Sequence, residues 1–234
     1  DSNPISPSSG YSGPTFYGGF QYTSTTIAPS SGISRQEVRN NYQGADQIVL
    51  KATNFPDDWT GSELSLHAVF IFKQTAFDPG YTTGNLTVDG LSVNWGSVDV
   101  SASFSLTGYF LVQTADTFYL SNTTFDMSSD GVFSLDATAL ASETWAVYDP
   151  ASDLNFDQSS ATYNSLVLEE ITAVGIYYED DVYDGGTNTS AFDVGIKTFN
   201  ATGTVIPEPS QITFLLCLGS LLCIWRKRSV RMRS

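Results

Sequence analysis

From Phe16 to Phe199 the apolar residues recur at every second position in short runs, separated by clusters of Gly, Asp, Asn and Ser. A chain with this period lays alternate side chains on opposite faces, which is the geometry of a strand. Leu64–Phe72 puts Leu64, Leu66, Ala68, Phe70 and Phe72 on one face, and Val98, Val100, Ala102, Phe104 and Leu106 alternate strictly with polar partners. Gln47–Thr53, Gly108–Thr114, Thr117–Asn122, Val132–Leu135, Thr144–Tyr148, Ile171–Tyr178 and Ala191–Phe199 read as further strands. Within Leu86–Asn94 the central Asp89-Gly90 is a two-residue turn signal and predicts a hairpin. No segment of the body shows sustained helical periodicity. About ten short strands with turn residues between them predict an all-β body. The expected architecture is one antiparallel β-sandwich, jelly-roll-like, with a barrel as the alternative. Residues 1–15, rich in Ser, Pro and Gly, read as a flexible leader, and 16–203 as the sandwich.

Charge divides the chain. All 25 Asp and Glu precede Ser210 and share that stretch with five cations, a net −20. The other five cations, Arg226, Lys227, Arg228, Arg231 and Arg233, crowd the last nine positions. So acidic a body repels phosphate backbones, which excludes nucleic acid as a partner. Between body and tail Ile212–Trp225 is uncharged and apolar on every side, whereas a core helix would be amphipathic. A helix from Ser210 to Trp225 would reach about 24 Å, and snorkelling of Arg226 and Lys227 covers the shortfall against a ~30 Å hydrocarbon core. The expectation is one C-terminal transmembrane helix over 212–225 and a basic tail, 226–234. Arg226, Lys227 and Arg228 place that tail in the cytoplasm and the acidic body outside.

Directly upstream, in a linker over 204–211, stand Pro207, Glu208 and Pro209. The two prolines remove two N–H donors and bias their predecessors toward extended backbone, presenting Glu208 on an open segment. Pro-Glu-Pro, a short apolar helix and a basic terminus, in that order, resemble the PEP-CTERM sorting signal. The resemblance covers about residues 205–234 and nothing upstream. It implies an exosortase, a membrane-embedded cysteine transpeptidase, as partner. It also implies bacterial export, with the chain held transiently in the inner membrane and then delivered to the cell surface or extracellular matrix. The five terminal cations argue against the rival signal for a glycosylphosphatidylinositol anchor. Proteins sorted this way start with a signal peptide, and the start at Asp1-Ser-Asn-Pro is expected to be a mature, post-cleavage terminus.

The body offers little for catalysis. Both cysteines, Cys217 and Cys223, lie in the apolar segment, and His67 is the lone histidine. That is too few ligands for a zinc-type site, and no Gly-x-Ser-x-Gly accompanies His67, which reads as a structural strand residue. A glycosidase needs two carboxyls on one face, and no two glutamates stand two or four apart on a strand. The chain is therefore expected not to be an enzyme. Acidic turns suit Ca²⁺, above all Asp180, Asp181 and Asp184 in the run Glu179-Asp180-Asp181 followed by Asp184-Gly185-Gly186, with Asp126, Asp130, Asp153 and Asp157 as lesser clusters. The alternative for all of them is solvated turn residues. Trp59, Trp95, Trp145, Tyr148, Tyr177, Tyr178 and Tyr183 are candidates for a sugar-stacking platform, with Tyr177-Tyr178-Glu179-Asp180-Asp181 the best local one, against the alternative that they are core.

Three functions follow. The first is a non-enzymatic surface or matrix protein with a structural or adhesive role in biofilm or exopolysaccharide. The second is a carbohydrate-binding module for matrix polysaccharide, and the third a secreted glycoside hydrolase.

Overall fold

The computed structural model describes residues 9–12, 16–24, 35–40, 48–53, 64–73, 85–100, 106–151, 154–180 and 192–206. They form two antiparallel sheets. The strands in chain order are β1 (Ser9–Ser12), β2 (Phe16–Ser24), β3 (Arg35–Asn40), β4 (Ile48–Thr53), β5 (Leu64–Lys73), β6 (Asn85–Val100) and β7 (Leu106–Thr114). After them come β8 (Thr117–Asp126), β9 (Gly131–Leu135), the short helix α1 (Ala137–Ser142), β10 (Thr144–Tyr148), β11 (Tyr163–Ser165), β12 (Ile171–Asp180) and β13 (Phe192–Ile206). One sheet has the order β1-β2-β5-β12-β7-β8-β10-β11, and the other the order β3-β4-β13-β6-β9. β1 falls within the stretch read as leader, and β13 runs three residues into the stretch read as linker.

The alternation seen in the sequence is what builds the core between the sheets. Ala68 and Phe70 of β5, Phe110 and Val112 of β7, and Val174 and Ile176 of β12 point one way. They meet Leu91, Val93 and Trp95 of β6 and Ile196 of β13 from the other sheet. Ring contacts cross the interface between Phe72 and Phe199 (5.0 Å) and between Phe110 and Phe133 (5.8 Å). Burying such a set removes it from water, the dominant favourable term in folding.

The opposite face of β5, β7 and β12 is buried too. Val69, Ile71, Tyr109, Leu111, Ala173 and Tyr177 form a second apolar cluster with Leu154 and Phe156. These strands therefore carry unbroken runs such as Ala68–Ile71 and Tyr109–Val112, all 0 % exposed.

Three expectations change. Leu86–Asn94 is not a hairpin but the middle of β6, a single strand of 16 residues. Pairing with β13 slips where Thr202 faces Gly90 and Gly203 faces Val88, so Asp89 is an extra residue on β6. The Asp-Gly pair marks a bulge, a local kink that needs the same permissive backbone as a turn. Thr202 Oγ1 donates to Asp89 Oδ1 (2.8 Å) and ties it down. The alternating stretch 98–106 is likewise not one strand: Val98–Val100 ends β6, Leu106 opens β7, and 101–105 lies outside the described residues. Finally, α1 has no counterpart in the periodicity, because six residues are too few to show one. It starts at an Asp136 N-cap whose side chain accepts from Ala139 N (2.9 Å).

Among the described residues no helix is long and apolar enough to cross a membrane. The segment 212–225, with Pro207, Glu208, Pro209, Arg226, Lys227 and Arg228, lies outside them.

Candidate functional site

β10 and β11 are antiparallel neighbours at one edge of the eight-stranded sheet, with Trp145 opposite Asn164 and Ala146 opposite Tyr163. In the connection between them, the described residues 154–162 fold back over the outer sheet face and insert Leu154 (0 % exposed) and Phe156 (7 %) into the second apolar cluster. Phe156 meets Tyr109 and Tyr148 edge-on, at 5.9 and 6.0 Å between ring centres.

Polar anchors accompany this apolar seat. Tyr148 Oη donates to Leu154 O (3.0 Å), and Phe156 N donates to Tyr177 Oη (3.2 Å). Tyr177 Oη in turn donates to Glu179 Oε2 (2.7 Å) and lies 2.8 Å from His67 Nδ1. A phenol has one proton and two lone pairs, so with the proton on Glu179 it accepts from Phe156 N and from a protonated Nδ1 of His67. Tyr109 Oη donates to the other carboxylate oxygen, Glu179 Oε1 (2.9 Å), and lies 3.2 Å from Gln158 Oε1. Burial first, then the Glu179 carboxylate, pushes the Tyr177 hydroxyl well above the ordinary tyrosine range, so it keeps its proton. His67 Nε2 is buried and has no hydrogen-bond partner among the described residues.

The connecting segment also braces itself. Asp149 Oδ1 accepts from Ala151 N (3.2 Å); Asp157 Oδ1 accepts from Ser159 N (3.0 Å) and Ser159 Oγ (2.6 Å). The bonds from Ser159 and Ser160 hold the Asp157 carboxyl below its usual range.

Between this segment and β10–β11 opens a cleft of about 460 Å³. Its lining is Val147, Tyr148, Asp149, Asn155, Phe156, Asp157, Ser160, Ala161, Thr162 and Asn164. Among the described residues the lining thus combines carboxylates, carboxamides and hydroxyls and holds no cation, while its two rings, Tyr148 and Phe156, are themselves buried. The volume falls within the ~300–1,000 Å³ of small-molecule clefts.

Of the expected platform residues, only Tyr148 reaches this cleft. Trp95 (3 % exposed), Trp145 (2 %), Tyr177 and Tyr178 (both 0 %) are core residues, which corrects their assignment as glycan contacts: a buried ring offers a sugar no face. Trp95 stacks near Phe125 (5.3 Å) and donates to Ser129 O (2.7 Å). Trp59, Tyr183, Asp181 and Asp184 lie outside the described residues, as does the side chain of Asp180. Among the described residues no three His, Cys, Asp or Glu side chains gather as a metal site. Asp130 pairs with Lys197 (3.1 Å), and Asp126 accepts from Ser128 N (2.8 Å).

Among the described residues two glutamates are buried. Glu179, which the sequence groups with Asp180 and Asp181, is the centre of the network above, whereas the sequence assigns Glu143 no role. Glu143 lies at the end of α1, and its Oε1 accepts from Asn122 N, Thr123 N and Thr144 N at 3.0–3.1 Å. It closes the irregular stretch of β8 where pairing with β7 jumps from Thr124 to Leu120. Of the cleft residues the sequence singles out only Tyr148 and Asp157. The signal for the rest was a polar stretch, Asp149–Asn164, interrupted by Leu154 and Phe156, where a freely solvated turn would have no need of apolar residues.

No protein-family model and no curated protein matches the chain. Among solved structures, one described as "Structure of PfGH50B" superposes with a TM-score of 0.32 at 12 % identity. The match covers 79 % of this chain and 23 % of that one, so this chain spans less than a quarter of that protein's length. A superposition that loose fixes neither a fold family nor a chemistry.

Proposed function

We propose that this chain is an exported, non-enzymatic surface or matrix protein. In this reading an exosortase sorts it at Pro207-Glu208-Pro209, and it serves a structural or adhesive role in an exopolysaccharide matrix. The observation that carries this is the order of three parts at the end of the sequence: the Pro-Glu-Pro motif, the apolar run 212–225 and five cations in the last nine residues. The end of β13 supports it. Ile206 still pairs with Asn85, and Pro207 is the first residue with no N–H to extend the ladder. The motif therefore follows the folded body without a spacer.

The test is replacement of Pro207, Glu208 and Pro209 by alanine in a bacterium that carries an exosortase. The variant should stay in the inner membrane at full length, with its C-terminus in the cytoplasm. Normal surface delivery and normal C-terminal processing would overturn the proposal.

The cleft beside β10 favours a second reading, in which the body itself attaches to polysaccharide. Its mixed wall of carboxylates, carboxamides and hydroxyls suits a polyhydroxylated ligand.

A further inference from the structure

We infer that the cleft between residues 155–162 and β10–β11 is a preformed site for a short stretch of neutral glycan. This deepens the reading of the body as a polysaccharide-attaching module and rests on it.

Size and chemistry point to a polyol. A cleft of about 460 Å³ is far larger than a cation needs and accommodates a short oligosaccharide. Sugar hydroxyls both donate and accept, so they need a wall that does both. Asp149 and Asp157 supply acceptors, Asn155 and Asn164 supply both kinds, and Ser160 and Thr162 hydroxyls serve either way.

Charge narrows the class. Among the described residues the lining carries two carboxylates and no Lys or Arg, and residues 1–209 carry a net −20. A uronate or sulfated sugar would bring like charge to a like-charged wall, which suppresses it as a partner. A neutral hexose chain meets no such penalty.

The anchoring is the second, independent observation. Covering the outer sheet face requires only apolar side chains such as Leu154 and Phe156. The molecule adds a buried polar set, and two of its bonds fasten the cleft-forming segment at Leu154 and Phe156. A segment fixed in advance loses less freedom when it closes on a flexible, many-hydroxyl ligand. Tyr177 is thus a positioning residue, acting on the cleft through Phe156.

The experiment is titration calorimetry of the full-length chain in the sugar-free detergent lauryldimethylamine oxide. The probes are cellohexaose, laminarihexaose, maltohexaose and mannohexaose, with hexagalacturonate and hexaglucosamine as charged comparisons. At least one neutral probe should bind with a Kd below about 1 mM. Asn164→Ala should weaken it about tenfold or more while leaving the thermal midpoint in place, and Asn155→Ala should weaken it as well. Tyr177→Phe should weaken binding as well, with a larger loss of binding entropy than the asparagine variants show, a readout that a purely covering role would not move. Failure of all four neutral probes at about 10 mM would overturn the inference. So would binding untouched by both asparagine variants, or preference for either charged probe. None of these results bears on delivery of the alanine-replaced sorting variant, so the cleft and the sorting signal fail separately.

Discussion

The Tyr177 hydroxyl donates to Glu179 Oε2 at 2.7 Å, between two residues two apart on β12 whose side chains share the outer face of the eight-stranded sheet. The same oxygen accepts from Phe156 N, and it meets His67 of β5. One phenol therefore joins two neighbouring strands to the segment that forms the cleft. With Tyr109 on the other carboxylate oxygen, Glu179 is 7 % exposed and both its oxygens accept hydrogen bonds. A buried carboxylate demands such partners, because an uncompensated one is costly.

Tyr177→Phe should consequently cost more than one hydrogen bond. It strips a donor from Glu179 and an acceptor from Phe156 N, both buried. Leaving buried polar groups unmade costs ~1–3 kcal/mol each, so a loss of about 2–4 kcal/mol is expected. Denaturant titration measures it as a lower midpoint at unchanged slope. A loss below about 0.5 kcal/mol would show that the network contributes no stability.

Alkaline pH should attack the same residue. The folded protein holds the Tyr177 proton above the ordinary value of 10.0, chiefly through burial. A group raised in the folded state leaves stability intact below its unfolded pKa. Above pH 10 the unfolded chain ionises while the folded one does not, and stability falls as pH climbs. The slope from this one proton is about 1.4 kcal/mol per pH unit. Midpoints measured between pH 8 and 11 should be flat and then drop, and Tyr177→Phe should flatten the drop. An equally steep fall in that variant would assign the effect to other tyrosines.

Glu143→Ala should destabilise although it touches no ligand. Its carboxylate accepts three backbone N–H groups at the β8 irregularity, while Ser121 Oγ accepts from Phe110 N (3.0 Å) beside it. Removing the carboxylate orphans these donors together, and a loss of about 2–3 kcal/mol is expected. Glu143→Gln keeps an acceptor oxygen without the charge and should lose about half as much. Hydrogen exchange locates the effect: Asn122, Thr123 and Thr144 amides should lose protection first. Unchanged protection in the alanine variant would refute the assignment.

The strand pattern was legible because burial on a sheet face enforces period two, and β4, β5, β7, β10 and β12 sit within a few residues of their expected positions. What burial does not enforce stayed hidden. Asp89-Gly90 is locally the same whether the chain turns or bulges, and only the partner strand β13 decides between them. Val69, Ile71, Tyr109 and Tyr177 alternate correctly on an outer face that appears solvated until 154–162 is seen to cover it. That cover explains why aromatic residues at strand positions pointed to a stacking platform in the sequence, and turned out to be core. His67, Tyr109, Tyr177 and Glu179 come from three strands, and no local spacing announces their meeting. Asp149, Asn155, Asp157 and Asn164 look like ordinary turn residues, since the same side chains that brace turns also bind hydroxyls.

Glycine substitutions separate a strand held on both faces from one that can give. A Cβ at Gly175 of β12 would overlap the Phe70 carbonyl oxygen of β5 and come within 3.0 Å of Ile71 Cα. Phe70 and Ile71 are each fully buried, in opposite clusters, so β5 cannot retreat in either direction without opening a core. Gly175→Ala should therefore lose more than about 3 kcal/mol, in the class of overpacked cores. At the β6 bulge the first obstacle to a Cβ on Gly90 is the Thr202 hydroxyl, a side-chain atom on an exposed residue. Rotating it away sacrifices the bond to Asp89, so Gly90→Ala should lose only about 1 kcal/mol. Thermal midpoints distinguish the two, at about 2–4 °C per kcal/mol for a domain of this size. Equal shifts would mean that β5 yields as readily as a threonine rotamer, and that the second apolar cluster does not clamp it.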